Sequence, residues 1–454
     1  MLLISQLLGA TSDDLRRRLD HPSRRPGDML TPWRHACDWI TTMNSLKGPR
    51  FPALRAVEAK PVSYDGDSFI LLRDPLKLTD KVLLAPRVLG PALVLCDGSR
   101  EDAGAIAAAL AVRFGMRIDA RIIDQLLAAL DDAFLLDNER FVAEKQRVIE
   151  AFRSAPFRPP AIAGASYPSD PGELRSMLQS YVDAAPDSDG VASQPAAPRG
   201  IVSPHIDYPR GGPVYAQVWA RAAEAVREAD LVILLGTDHY GGDASITLTR
   251  QNYATPLGVL PTDREIVDDL AGIIGSDAAF DGELRHRGEH SIELAAVWLH
   301  YIRDGHPCEI VPVLCGSFSR FTRGASNAGE DQAITALVDA LKSYAEGRNA
   351  IVVAAGDLSH VGPAFGGPPV DFAGRAQLME SDRELIDCIC AGDAPAFLSA
   401  ITRVEDRNNV CGVSPIYLAL KTLGECHGEN LAYDRCPADE EGTSLVSICG
   451  TLLY

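Results

Sequence analysis

The sequence predicts an α/β protein with a smaller α+β unit ahead of it, and three observations carry that prediction. From Gly200 onward, short apolar runs alternate with helical spacing, the signature of parallel β/α architecture. Upstream, residues 48–142 read as short strands followed by helices. A chain of 454 residues, 46% hydrophobic and 23% charged, has the length for two or three domains and a composition that excludes wholesale disorder. Its 62 Asp and Glu against 43 Lys and Arg give a net charge of −19. That excess repels phosphate backbones and anionic membrane surfaces, so neither nucleic acid nor a membrane is an expected partner.

Taken in order, residues 1–47 form a weakly patterned lead-in (Arg16-Arg17-Arg18, Pro22, Pro26, Pro32), expected to be a disordered extension or an over-long gene start. In the unit over 48–142, Val62, Phe69, Ile70, Leu71 and Leu72 around Asp65-Gly66-Asp67 signal a hairpin. A helix near 86–95 comes next, then the turn Asp97-Gly98 and a Ser99-Arg-Glu-Asp start to a helix through Ala111. Ile122, Ile123, Leu126, Leu127 and Leu130 at helical spacing predict a further helix over 119–133. Residues 143–160 read as a charged linker helix ending in Pro156, Pro159 and Pro160. The last domain spans 161–454, with a Pro-, Ala-, Ser- and Asp-rich loop over 183–199 expected to be disordered.

Within that domain, the residues at the end of each apolar run carry the chemistry. The run from Gly200 leads to Pro204-His205-Ile206-Asp207, the run from Leu231 to Gly236-Thr237-Asp238-His239, and the run from Ile351 to Gly356-Asp357-Leu358-Ser359-His360. Ligand sites of open α/β sheets form outside the carboxyl ends of strands, so three strands deliver His or Asp/His to what reads as one crevice. Glu289-His290 opens a helical segment, where Glu289 is either a charge favoured by the helix dipole or a member of the site, and His290 either points into the crevice or caps backbone. Cys411 precedes the apolar helical stretch 417–423, where the dipole favours its thiolate as a soft ligand or nucleophile. Asp357 reads equally as a helix cap.

These residues carry two resemblances. The Asp-Gly-Ser-Arg, Ile-Ala-Ala, Leu-Leu and Leu-Asp series of the first unit resembles PqqD-like winged-helix modules that grip peptides. Ala163-Gly-Ala-Ser-Tyr-Pro168, Ser203-Pro-His-Ile-Asp-Tyr208, Leu235-Gly-Thr-Asp-His239, Glu289-His-Ser-Ile-Glu293, Val311-Pro-Val-Leu-Cys-Gly316, Gly356-Asp-Leu-Ser-His360 and Cys411-Gly-Val-Ser-Pro-Ile416, in that order, resemble the Memo family, the system protein B of the AmmeMemoRadiSam set. The resemblance implies a sheet like that of the LigB-type (class III) extradiol dioxygenases with flanking helices. It also implies a mononuclear metal site with His205, His239 and Cys411 as ligands, and Asp357, His360 and His290 as polar, catalytic-type groups of the same pocket. Where the family has His-Ala-Gly-Tyr and Gly-Pro-Ser-His, this chain carries Asp207 and Asp238, so a more acidic pocket is expected.

Two imidazoles and a thiolate suit copper or iron, with zinc compatible, and leave positions open for water, dioxygen or substrate. With Glu289 in place of Cys411 the set becomes the two-His-one-carboxylate triad of non-haem iron oxygenases. The expected function is a redox or metal-handling step beside a radical-SAM protein and system protein A of the same set. The alternatives are a ring-opening dioxygenase with His360 as acid/base, and a non-catalytic scaffold whose crevice binds a peptide that the N-terminal module recruits. A cytoplasmic location is expected, because the apolar first ten residues carry no basic residue ahead of them and no apolar run reaches membrane-spanning length. The ten cysteines, without a C-x-x-C pair and with eight at or beyond Cys308, then read as thiols.

Overall fold

The computed structural model describes residues 51–64, 67–186 and 196–454, which divide into two compact units, one ending at Ala151 and the other starting at Phe152. The lead-in over 1–47, the Asp65-Gly66 turn and most of the loop expected over 183–199 lie outside the described residues.

In the N-terminal unit, β1 (Glu58–Tyr64) and β2 (Asp67–Arg73) form the antiparallel hairpin, and β3 (Leu83–Pro86) pairs with β2. Four helices come after them: α1 (Gly90–Leu95), α2 (Ala103–Phe114), α3 (Ala120–Asp132) and α4 (Glu139–Ser154), the last running across the unit boundary. Asp102 and Asp119 start α2 and α3 by accepting from the backbone N–H of Ala105 and Arg121. Helical spacing in α3 buries Ile123, Leu126 and Leu130 against Ile106 and Leu110 of α2 and Leu72 and Leu83 of the sheet.

The C-terminal unit begins with a segment that the sequence reads as linker. Within it Arg158 is fully buried, and its backbone pairs with Asn252 and Ala254. The chain continues through α5 (Pro171–Asp183), β4 (Gly200–Ser203), α6 (Tyr208–Arg221), α7 (Ala223–Glu228), β5 (Leu231–Thr237), β6 (Ile246–Leu248), β7 (Tyr253–Thr255) and β8 (Gly258–Leu260). Next come α8 (Arg264–Ile274), α9 (Ser276–Asp281), α10 (Ser291–Ile302), β9 (Glu309–Cys315), α11 (Ser319–Thr322), α12 (Gln332–Gly347), β10 (Ala350–Ala355) and β11 (His360–Val361). The last elements are α13 (Phe372–Cys390), α14 (Ala394–Thr402), α15 (Val413–Leu423), β12 (Gly428–Pro437) and β13 (Leu445–Leu453).

The sheet runs β11-β13-β4-β10-β5-β9-β6, with β12 outside on β13. Strands β4, β10, β5 and β9 are parallel, as expected, but β6 pairs antiparallel with β9, β13 with β4, and β11 and β12 with β13, so the sheet is mixed. Antiparallel pairing reflects connection length: only residues 438–444 join β12 to β13, too few for the crossover that a parallel pair needs. The parallel strands are buried on both faces. Leu231, Ile233 and Leu235 of β5 join one apolar layer with α8, α12, α14 and α15, while Val232 and Leu234 join the other with α5, α6 and α10. Among the described residues no helix is long and apolar enough to cross a membrane.

Candidate metal centre

Register brings the three strand ends level. Ala355 of β10 pairs with Ser203 of β4 on one side and with Gly236 of β5 on the other. His205, Asp357 and His239 therefore leave the sheet at one edge, as the crevice reading requires.

Two close backbone approaches add the remaining groups. A Cβ on Gly236 would meet Ser291 Oγ at 2.7 Å and Ile292 Cγ1 at 2.6 Å, so a side chain at 236 would push away the start of α10, and with it Glu289 and His290. Ser291 Oγ fastens that start by donating to Thr237 O at 2.8 Å. On the other side, a Cβ on Gly356 would lie 2.6 Å from Gly412 Cα, and Gly412 N donates to Asp357 O at 2.9 Å. Only glycines let the Cys411 loop come so near the end of β10.

The side chains form two triplets that share His205. The ligand atoms of His205, His239 and His290 lie within 4.8 Å of one another, and so do those of His205, Asp357 and Cys411. His205 Nδ1 is 3.0 Å from Ala355 O, an acceptor only, so Nδ1 carries the hydrogen and Nε2 faces Cys411 Sγ at 3.3 Å. Asp357 Oδ1 accepts from His205 N at 2.8 Å, which ties the loop after β4 to the loop after β10. His239 Nδ1 lies 3.0 Å from Glu289 Oε2, and Glu289 Oε1 lies 3.1 Å from His290 Nδ1. His360 joins neither triplet; it stands on β11 with its ring against Phe365 and its Nδ1 3.3 Å from Leu358 O.

The family model described as Memo-like protein matches residues 158–450, which contain every one of these groups. This chain belongs to the Memo family. It is similar to a MEMO1 family protein of Aquifex aeolicus, 28% identical over 411 residues that cover 89% of this chain and all of the relative, an overlap that extends into the N-terminal unit. Similar proteins of Methanopyrus kandleri and Methanosarcina acetivorans, each 32% identical and described as MEMO1 family proteins, match 61% and 60% of this chain and 91% and 88% of their own lengths.

In this Memo chain the electrostatics of the site are dominated by mutual pairing. Burial alone would raise the Cys411 thiol, but the imidazoles of His205 and His360 outweigh it and bring it down to about 5. Burial alone would lower His205, and the Cys411 thiolate and Asp357 reverse that, pushing it up to about 9. His239 is likewise raised against burial by Glu289, and Glu289 is lowered against burial by His239 and His290. Imidazole–thiolate and imidazole–carboxylate pairing thus outweighs burial at each of these four groups.

The two extra carboxylates of this Memo sequence do not make the pocket acidic. Asp207 caps α6 and pairs with Arg210, and buried Asp238 is held by Arg285 Nε at 2.6 Å. Each is neutralised by its own arginine, pointing to that partner instead of the ligands.

The sequence reading missed the support beneath α10. Arg158 donates to His286 O at 2.7 Å, to Glu289 O at 2.7 Å and to Glu293, all fully buried or nearly so. Glu293 also accepts from the Ala161 and Ile162 N–H groups and from Tyr167 OH. One signal for it was present: Glu293 is the single charge in the otherwise apolar stretch 292–299, and a charge on an all-buried helix demands a buried partner.

Proposed function

We propose that the crevice holds one transition-metal ion, copper or iron, through His205, His239 and Cys411, and that the protein performs a redox or metal-handling step. One observation supports it above the rest: His205 and His239 have Nδ1 engaged by an acceptor, which leaves Nε2 of each as the donor beside the Cys411 sulfur. Metal-binding imidazoles are held in this way, and a mixed nitrogen–sulfur set fits copper or iron and also zinc. When bound, the ion would supply redox and Lewis-acid chemistry. Asp357 fixes the His205 backbone, Ala355 O and Glu289 fix the two rings, and Thr237 Oγ1 fixes the Cys411 carbonyl at 3.1 Å.

We also propose that the central mixed sheet is of the LigB type. Ring opening of a catechol is the second reading, favoured by His360, which acts electrostatically on Cys411 without belonging to either triplet. Oxygen uptake with catechols and ferrous protein distinguishes it, and none with any catechol removes it. We further propose that the N-terminal unit is a PqqD-like, peptide-binding module and that a radical-SAM protein and system protein A are partners. The nine described cysteines are all free thiols, consistent with a reducing, cytoplasmic setting.

The deciding test is metal analysis of anaerobically purified protein. About one equivalent is expected, lost in a His205→Ala/Cys411→Ser double variant. Unchanged metal in that variant overturns the assignment.

A further inference from the structure

His290 and Glu289 hold more than the metal reading uses. The rings of His239 and His290 are stacked, 12° from parallel with centroids 4.9 Å apart, and His205 stands edge-on to both at 5.1 and 5.5 Å. One buried carboxylate produces that arrangement. Glu289 takes the Nδ1 of His239 at 3.0 Å and the Nδ1 of His290 at 3.1 Å, so neither ring can turn its Nδ1 toward the crevice. A helix-start charge would need only the backbone contacts that Glu289 also makes, from His290 N at 2.7 Å and Ser291 N at 3.1 Å. Capping accounts for those two contacts and leaves the paired rings unexplained.

We infer that His290 is a third imidazole donor to the same ion and that Glu289 is the positioning residue that aligns it with His239. This rests on the metal reading of the crevice. With each Nδ1 held by Ala355 O or Glu289, Nε2 is left as the donor of each ring; the ligand atoms of the three histidines lie within 4.8 Å of one another, so an ion placed for His205 and His239 is also within reach of His290. With Cys411 the set becomes three nitrogens and one sulfur, enough for a four-coordinate shell. An external ligand then enters by displacing His290 or by expanding the shell, whereas a shell of His205, His239 and Cys411 alone has a position open from the start.

The test loads the full chain with cobalt(II) alone and follows the thiolate-to-cobalt charge-transfer band, the d–d bands and the affinity by chelator competition. In His290→Ala the charge-transfer band is expected to survive, the d–d bands to shift, and the affinity to fall at least about tenfold. Free imidazole should restore both, which a merely structural role of His290 would not allow. Glu289→Gln keeps an oxygen for the helix start but loses the double ring contact, and should weaken cobalt binding about tenfold with the fold intact by circular dichroism. A His290→Ala protein with parent spectrum and affinity, or with changes that imidazole leaves untouched, overturns the inference while the charge-transfer band keeps the metal reading standing. A parent chain that takes up no cobalt overturns both.

Discussion

Two buried histidines of the C-terminal unit, His286 and His205, have opposite fates. Both are all but inaccessible to solvent. His286 Nε2 is 3.0 Å from Thr247 O, an acceptor only, so Nε2 carries the hydrogen and Nδ1 accepts from Tyr253 OH. With both nitrogens satisfied in the neutral form, burial drives its pKa down to about 3. His205 has one nitrogen satisfied and the other left against a thiolate, and its pKa rises to about 9. Burial is common to both. What separates the two histidines is whether the second nitrogen is matched by a neutral partner or set against a thiolate. The same contrast holds for the clusters around them: Arg158, Glu293 and His286 form a closed network, whereas His205, His239, His290 and Cys411 leave donors facing a common space.

The largest expected effect breaks the closed network. Arg158→Ala leaves Glu293 buried without its cation, and equilibrium unfolding should show a loss of about 3–5 kcal/mol. It would also release the His286 and Glu289 carbonyls, so metal affinity should fall with stability. A loss below about 1 kcal/mol would show that the pair is not the support described.

Metal should act on the open cluster alone. An ion at about a hundredfold over its dissociation constant stabilises the folded chain by about 2.7 kcal/mol. That gain should vanish in His205→Ala/Cys411→Ser and persist in His286→Gln. An equal gain in all three proteins would place the ion elsewhere and erase the contrast between the two clusters.

The two clusters also differ in what the sequence revealed. The open one was legible because His205, His239 and Asp357 come directly after apolar runs at strand ends, and because Cys411-Gly412 precedes a helix. Those are local patterns. Arg158 was hidden in a Pro-rich stretch that reads as linker, and its role depends on partners some 130 residues away. The stacking of His239 and His290 on Glu289 was hidden too, since no spacing announces that one carboxylate will serve two rings. Of the fold, the parallel centre was legible from its apolar runs, but β12 was not: the polar edge strand Gly428–Pro437 is mostly half-exposed and lacks the alternation that marks a strand. Its partner β13 is buried throughout, yet Ser447, Gly450 and Thr451 interrupt its apolar pattern.

Acid should expose the closed histidine. His286 titrates at about 3 in the folded chain against an ordinary 6.5, so between those values the unfolded chain binds a proton that the folded chain refuses. Its contribution is present in full above pH 6.5 and is lost as pH falls toward 3, at about 1.4 kcal/mol per pH unit. From pH 6.5 to 5 the parent should therefore lose about 2 kcal/mol more than His286→Gln. Parallel stability curves for the two proteins would mean that His286 is not held neutral.

The smallest effect concerns the carboxylates that looked, from sequence, as though they acidified the site. Asp207 accepts from Arg210 N at 3.2 Å at the start of α6 and pairs with the Arg210 side chain, partly exposed to solvent. Asp207→Ala should cost about 1 kcal/mol for a lost helix cap, with the ion pair adding little in water. Metal affinity should not move, because the carboxylate is neutralised by its arginine before it can act on the ligands. A several-fold loss of affinity in Asp207→Ala would mean that charge beside His205 reaches the ion after all. The open cluster would then extend past its donors into the first turn of α6, and the line between supporting and functional groups would have to be redrawn there.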